Sequence, residues 1–129
     1  MPVAGRMVQK QYNLFLSWDD KANWYLSSPT GQHNTYVTGT TPLADGRWHH
    51  VAAVRDAQRR ALYLFVDGQF EGAVLDSTAG PFISDQPFHI GAYYWQGRFH
   101  DFYQGDLARV RVWGRALTVS EAQRETECH

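Results

Sequence analysis

A single cysteine stands in the 129 residues, Cys128 beside the C-terminus, so no disulfide can form within the chain and cysteine usage does not report a redox compartment. An excess of one charge is also missing. Twelve basic residues oppose thirteen acidic ones, a formal net charge of -1, which excludes the basic surplus of a nucleic-acid or anionic-membrane binder. No apolar run approaches the roughly 18 residues that cross a bilayer. Met1-Pro2-Val3-Ala4-Gly5 has neither the charged start nor the apolar core of a signal peptide. Internal repeats, low-complexity tracts and linkers are absent too, which leaves one domain over residues 1–129, long enough to bury a core without metal or disulfide.

Aromatic residues are abundant. They make up 15% of the chain, against an ordinary 43% hydrophobic and 19% charged share, a bias that goes with β-rich and sugar-handling proteins. The chain reads as short strands between turns. Tyr12, Leu14, Leu16 and Trp18 alternate with Asn13, Phe15 and Ser17, the period-two pattern of a strand. Further strands are expected at Trp24 to Ser27, Thr35 to Thr38, Trp48 to Arg55, Ala61 to Val66 and Phe70 to Leu75, and the last candidates are Phe88 to Gly91 and Asp106 to Trp113. Asp67-Gly68 between two such runs is the strongest hairpin signal. Near the end, Thr118-Val119-Ser120-Glu121 reads as a capping box that opens a helix of about two turns.

Four segments in order, "TTPLADGRWHHVAAVRD", "LYLFVDGQFEG", "FHIGAYY" and "YQGDLARVRVWGRALTVSEAQ", resemble the laminin-G-like domains of the concanavalin A-like lectin/glucanase superfamily. The resemblance runs from about Val3 to Gln123 and implies an all-β fold: a concanavalin A-like jelly-roll β-sandwich with one short C-terminal helix. In it, Trp48 and His50 are expected to point together into the sandwich, the imidazole taking a buried hydrogen bond, and Gly105 to let the last strand approach a neighbouring backbone. Two departures stand out. Many relatives carry G-x-I-D-E-V at the closing strand, often linked to calcium; Ala108 and Arg109 stand there instead, so no cofactor is expected and calcium is the one alternative. Jelly rolls of this kind also commonly begin with strands ahead of the segment matching Val3 to Lys10. The expectation is of a fragment, or of an open sheet edge completed by a second copy in a homo-oligomer.

The candidate chemistries separate on spacing. Glycosidases of this superfamily set two carboxylates on one strand surface, about 5 to 10 Å apart. Glu71, Glu121, Glu125 and Glu127 fall instead in a hairpin and the terminal helix, so no enzyme is expected. Cys128-His129 is a terminal pair without an orienting partner, and His49 and His50 take opposite faces of one strand. His89, His100, Asp101 and Asp85 have no recognised metal-ligand spacing. What remains is "GAYYWQGRFHDFYQGD", residues 91–106, where six rings are interrupted by Gln96, Gly97, Arg98, His100 and Asp101 without strand or helix period. Phe99, Phe102 and Tyr103 are expected to turn inward. The candidate carbohydrate site is Tyr93, Tyr94 and Trp95 as stacking rings, with Arg98, His100 and Asp101 as polar partners. Trp24-Tyr25 with His33-Asn34 is a second surface candidate. The functional expectation is a non-catalytic, lectin-like module of a larger extracellular or cell-surface protein, with neither nucleic-acid nor membrane partner. The alternative is an adhesion module that contacts protein and has no sugar site.

Overall fold

The computed structural model describes residues 11–27, 34–78, 90–91, 93–95, 98–100 and 103–126. Strands β1 (Gln11–Leu16), β2 (Ala22–Ser27) and β3 (Asn34–Thr38) form one antiparallel sheet in that order. Strands β4 (Val51–Asp56), β5 (Ala61–Val66) and β6 (Gln69–Leu75) form a second. A two-stranded hairpin, β7 (Tyr93–Trp95) with β8 (Arg98–His100), and one helix, α1 (Val119–Arg124), follow.

The two sheets face each other through the alternate residues that their sequences mark. Ala22, Trp24 and Leu26 of β2, Val37 of β3 and Leu62, Leu64 and Val66 of β5 make one buried cluster, joined by Leu43, Val51, Ala53 and Val74. Burying each large aliphatic side chain there contributes about 1.5–3 kcal/mol. Two glycines set the spacing. A Cβ on Gly72 would lie 2.7 Å from the Val37 Cγ2 atom, and one on Gly39 would lie 2.6 Å from Glu71 Oε1, so β6 approaches β3 only because neither carries a side chain. Glu71 uses that approach to accept from the Thr40 and Thr41 amides at 2.8 and 3.2 Å and from the Thr41 hydroxyl.

On the far side of the second sheet, Val54, Phe65 and the helix residue Ala122 form a smaller core with Ala52, Tyr63, Ala116 and Leu117. Helix α1 therefore covers the outer face of that sheet. It begins as its capping box requires: the Thr118 hydroxyl accepts from the Glu121 amide at 3.2 Å, and Glu121 Oε1 accepts from the Thr118 amide at 2.9 Å. The β5–β6 turn has Asp67 at φ 51 and Gly68 at φ 78, two successive left-handed residues as a type I′ turn demands.

Several expectations are corrected. Strand β1 stops at Leu16 and leaves Trp18 in the following turn, 92% exposed. Strand β4 starts at Val51 rather than Trp48, and Trp48 is 70% exposed instead of core. The imidazole of His50 is half-buried, and its Nδ1 atom has no hydrogen-bond partner among the described residues. Asp106 to Trp113 forms no strand: Arg109 at φ 55 breaks the extended run, while Arg111 to Glu125 at 2.8 Å ties the segment to the region of α1. Gly91, at φ 89, ends the Phe88 to Gly91 candidate in a bend, and Phe88 and His89 lie outside the described residues. Gly105 approaches the Tyr103 ring, 3.0 Å from its Cβ position, rather than a neighbouring backbone.

Candidate carbohydrate site

The ring-rich stretch is a hairpin, not the irregular loop its composition suggests. Register pairs Tyr93 with His100, Tyr94 with Phe99 and Trp95 with Arg98, and the Tyr103 amide donates to the Gly91 carbonyl at 2.7 Å to extend the pairing at the open end. Tyr93, Trp95, Arg98 and His100 thus share one set of pleat positions, and Tyr94 and Phe99 the alternate set. Of the six predicted site residues, four share one set of pleat positions and Tyr94 takes the other; Asp101 lies outside the described residues, as does Phe102. Tyr103, expected inward, is exposed and lies over Gly105.

The second surface candidate is not a surface. Trp24 is 8% exposed in the inter-sheet core, where its indole donates to the Val54 carbonyl at 3.2 Å across the two sheets. Tyr25 is buried and stacked on the exposed Tyr36, ring centroids 6.3 Å apart, and burial raises the Tyr25 pKa. His33 lies outside the described residues and Asn34 is exposed.

At the end of the sandwich where β4 begins, His49 sits between two carboxylates, an arrangement that sequence spacing did not indicate. Its Nδ1 lies 2.7 Å from Asp67 Oδ2 and its Nε2 lies 2.8 Å from Asp45 Oδ1. Both ring nitrogens donate only in the charged imidazolium. The bond to Asp67, then that to Asp45, raises the His49 pKa. Asp67 is held below the usual carboxylate range: partial burial alone would raise it, but the His49 ring and the His50 amide, at 2.9 Å, outweigh that. Burial lowers the pKa of the nearby His50.

Three further acidic residues are tied into the fold. Asp76 is buried and accepts from Arg55 Nε at 2.8 Å and from the Thr78 hydroxyl and amide. Glu121 pairs with Arg115 through two bonds of 2.8 and 2.6 Å, which hold its pKa down to about 2, and Glu125 accepts from Arg111. Among the described residues no three His, Cys, Asp or Glu side chains are grouped to hold a metal ion. Asp85, His89, Asp101, Glu127 and Cys128-His129 lie outside them.

Two facing antiparallel sheets, an aromatic hairpin and a helix packed on one outer face define an all-β sandwich. The chain belongs to the laminin G-like family of the concanavalin A-like lectin/glucanases superfamily, whose family model matches residues 3–123. That superfamily holds carbohydrate-binding and adhesion modules as well as glycosidases, and its laminin G-like domains are generally non-catalytic. The fold is similar to the crystal structure of an S-layer domain-containing protein, residues 221–444, from Clostridium thermocellum: TM-score 0.58 and 16% identity over 98% of this chain and 67% of that one. A comparison with curated proteins finds no match.

Proposed function

We propose that this domain is a non-catalytic carbohydrate-recognition module that binds glycan through the β7–β8 hairpin. The observation that carries the reading is the hairpin register, which sets Tyr93 across from His100 and Trp95 across from Arg98, an aromatic position opposite a polar one on two of its three rungs. Rings stack on the C–H face of a pyranose while neighbouring polar groups, Asp101 among them, bond its hydroxyls. Recognition is reversible and nothing is cleaved. Glu71, Glu121 and Glu125 are engaged in backbone or arginine bonds, which supports binding over hydrolysis. Affinity per site falls between about micromolar and millimolar, because a small site with few polar contacts meets the full cost of association.

The extracellular or cell-surface setting is the usual one for laminin G-like domains, and no helix among the described residues is long and apolar enough to cross a membrane. A second reading, adhesion by protein contact, draws on one observation. Among the described residues β1 is an edge strand, and its Leu14 and Leu16 are half-exposed on the face that buries Trp24. A second copy pairing along that edge would cover them, and bivalency would strengthen two weak sugar sites on a dense glycan surface. A glycan array, run with calcium and again with chelator, tests the primary reading. Specific binding in both arms supports it without a metal, binding lost with chelator assigns calcium to the site, and no binding in either arm favours the adhesion reading.

A further inference from the structure

We propose a second glycan-contacting surface, at the end of the sandwich where β1 finishes and β2 and β4 begin, built on the indoles of Trp18 and Trp48. Trp18 is 92% exposed and Trp48 70%, although tryptophan is highly buried on average. Both stand on loops at the same end of the sandwich. The Ser17–Lys21 turn links β1 to β2, and residues 39–50 link β3 to β4. A backbone bond from the Leu43 amide to the Asp20 carbonyl, 2.8 Å, joins one loop to the other.

Neither loop is slack. The first is closed by the Ser17 amide on the Lys21 carbonyl at 2.8 Å and the Asp20 amide on the Ser17 carbonyl at 2.9 Å. The Ser17 hydroxyl also bonds to Asp19 and, at 3.0 Å, to the Lys21 carbonyl. The second loop is clamped where it carries Trp48: Asp45 accepts from the Arg47 amide at 3.0 Å, and the adjacent His49 bridges Asp45 to the Asp67 turn. An exposed indole on a fixed loop gives up little freedom on binding, which is the condition for ring stacking to yield net affinity.

The charges around the two rings indicate what they would hold. Asp19 meets Lys21 at 3.6 Å, and Asp45 and Asp67 share the one positive charge that His49 can carry, so basic groups do not outnumber acidic ones here. A phosphate or an acidic polymer would meet no surplus of positive charge here. A neutral polyhydroxyl ligand suits apolar ring faces bordered by polar groups, Asp19 beside Trp18 and Arg47 beside Trp48 being the nearest exposed ones in sequence. The ligand class rests on the carbohydrate reading above; the location rests on the exposure and bracing of the two tryptophans.

The test is fluorine NMR of the whole chain carrying 5-fluorotryptophan at its five tryptophans, assigned by single Trp→Phe variants. The probes are neutral cello-, malto-, xylo- and manno-hexaose and, separately, phosphatidylcholine vesicles. The expected result is that at least one hexaose moves the Trp18 and Trp48 signals and leaves Trp24 in place, and that Trp18→Ala and Trp48→Ala each weaken this binding about fivefold or more without changing the fold. Movement of the Trp95 signal alone would overturn the second surface and leave the hairpin site standing. Signals that move with vesicles but with no hexaose would replace the glycan by a lipid surface and overturn the proposal, as would no movement at all. In both of those cases the glycan array decides separately whether the domain binds sugar.

Discussion

Replacing Trp24 and Trp48 by alanine, one at a time, separates scaffold from surface. Trp24 is 8% exposed, packs edge-on to Tyr12 with centroids 5.9 Å apart, and bonds to the Val54 carbonyl of the opposite sheet. Truncation there removes a large ring and leaves a cavity among Leu26, Val37, Leu62 and Leu64, for an expected cost of about 3–5 kcal/mol, with roughly 1 kcal/mol of it from the lost hydrogen bond. In a domain of this size that lowers the melting temperature by about 10–20 °C. Trp48, 70% exposed, should cost no more than about 0.5 kcal/mol, a shift of roughly 2 °C. Urea unfolding followed by far-ultraviolet circular dichroism measures both. A Trp48→Ala cost equal to that of Trp24→Ala would refute the reasoning and return Trp48 to the core.

Three further outcomes are expected. The pKa of His49 is raised, so the stability it contributes is complete below about pH 6.5 and is lost as pH rises through its folded value; Asp45 and Asp67, lowered, contribute above about pH 4 and lose their share below it. The gap in melting temperature between wild type and His49→Gln should therefore be widest between about pH 4 and 6.5 and shrink on the alkaline side, and a gap that does not change with pH would contradict the clamp. Gly72→Ala places a Cβ 2.7 Å from Val37 Cγ2 and should cost about 1–3 kcal/mol by chemical denaturation, whereas a neutral result would mean that β3 and β6 are not so close. Light scattering coupled to size exclusion should find a dimer rather than the 14.8 kDa chain alone; a single monomer peak stable on dilution would remove the argument from the β1 edge.

What could be read from the sequence follows from how local each signal is. The Asp67-Gly68 turn and the Thr118 capping box depend on a few adjacent residues, and both form as expected. Strand β3 was legible because its alternation matches burial on one face, β2 and β5 because their apolar and aromatic runs are largely buried, and β6, which has no buried residue, because it follows the Asp67-Gly68 turn. Trp48 misled because period two extends backward from β4 into "RWHH", whereas the Asp45–His49–Asp67 clamp, a contact across 22 residues, keeps that segment out of the sheet. Trp24 misled in the opposite direction: it borders turn-rich sequence, and its indole partner, the Val54 carbonyl, is 30 residues away. Asp106 to Trp113 carries an alternating pattern that the left-handed Arg109 interrupts, a backbone state that composition does not announce. For the candidate site, composition located the rings but not the Tyr93–His100 and Trp95–Arg98 pairing, since glycines at 91 and 97 argued against a strand.

Trp95→Ala tests the central claim, glycan recognition through the β7–β8 hairpin, most directly. Titration calorimetry against the tightest glycan from the array should show binding at least about tenfold weaker in the variant, with the melting temperature within a few degrees of wild type, since a stacked ring contributes on the order of 1–3 kcal/mol. Unchanged affinity with a large loss of stability would make Trp95 a core residue and contradict the account.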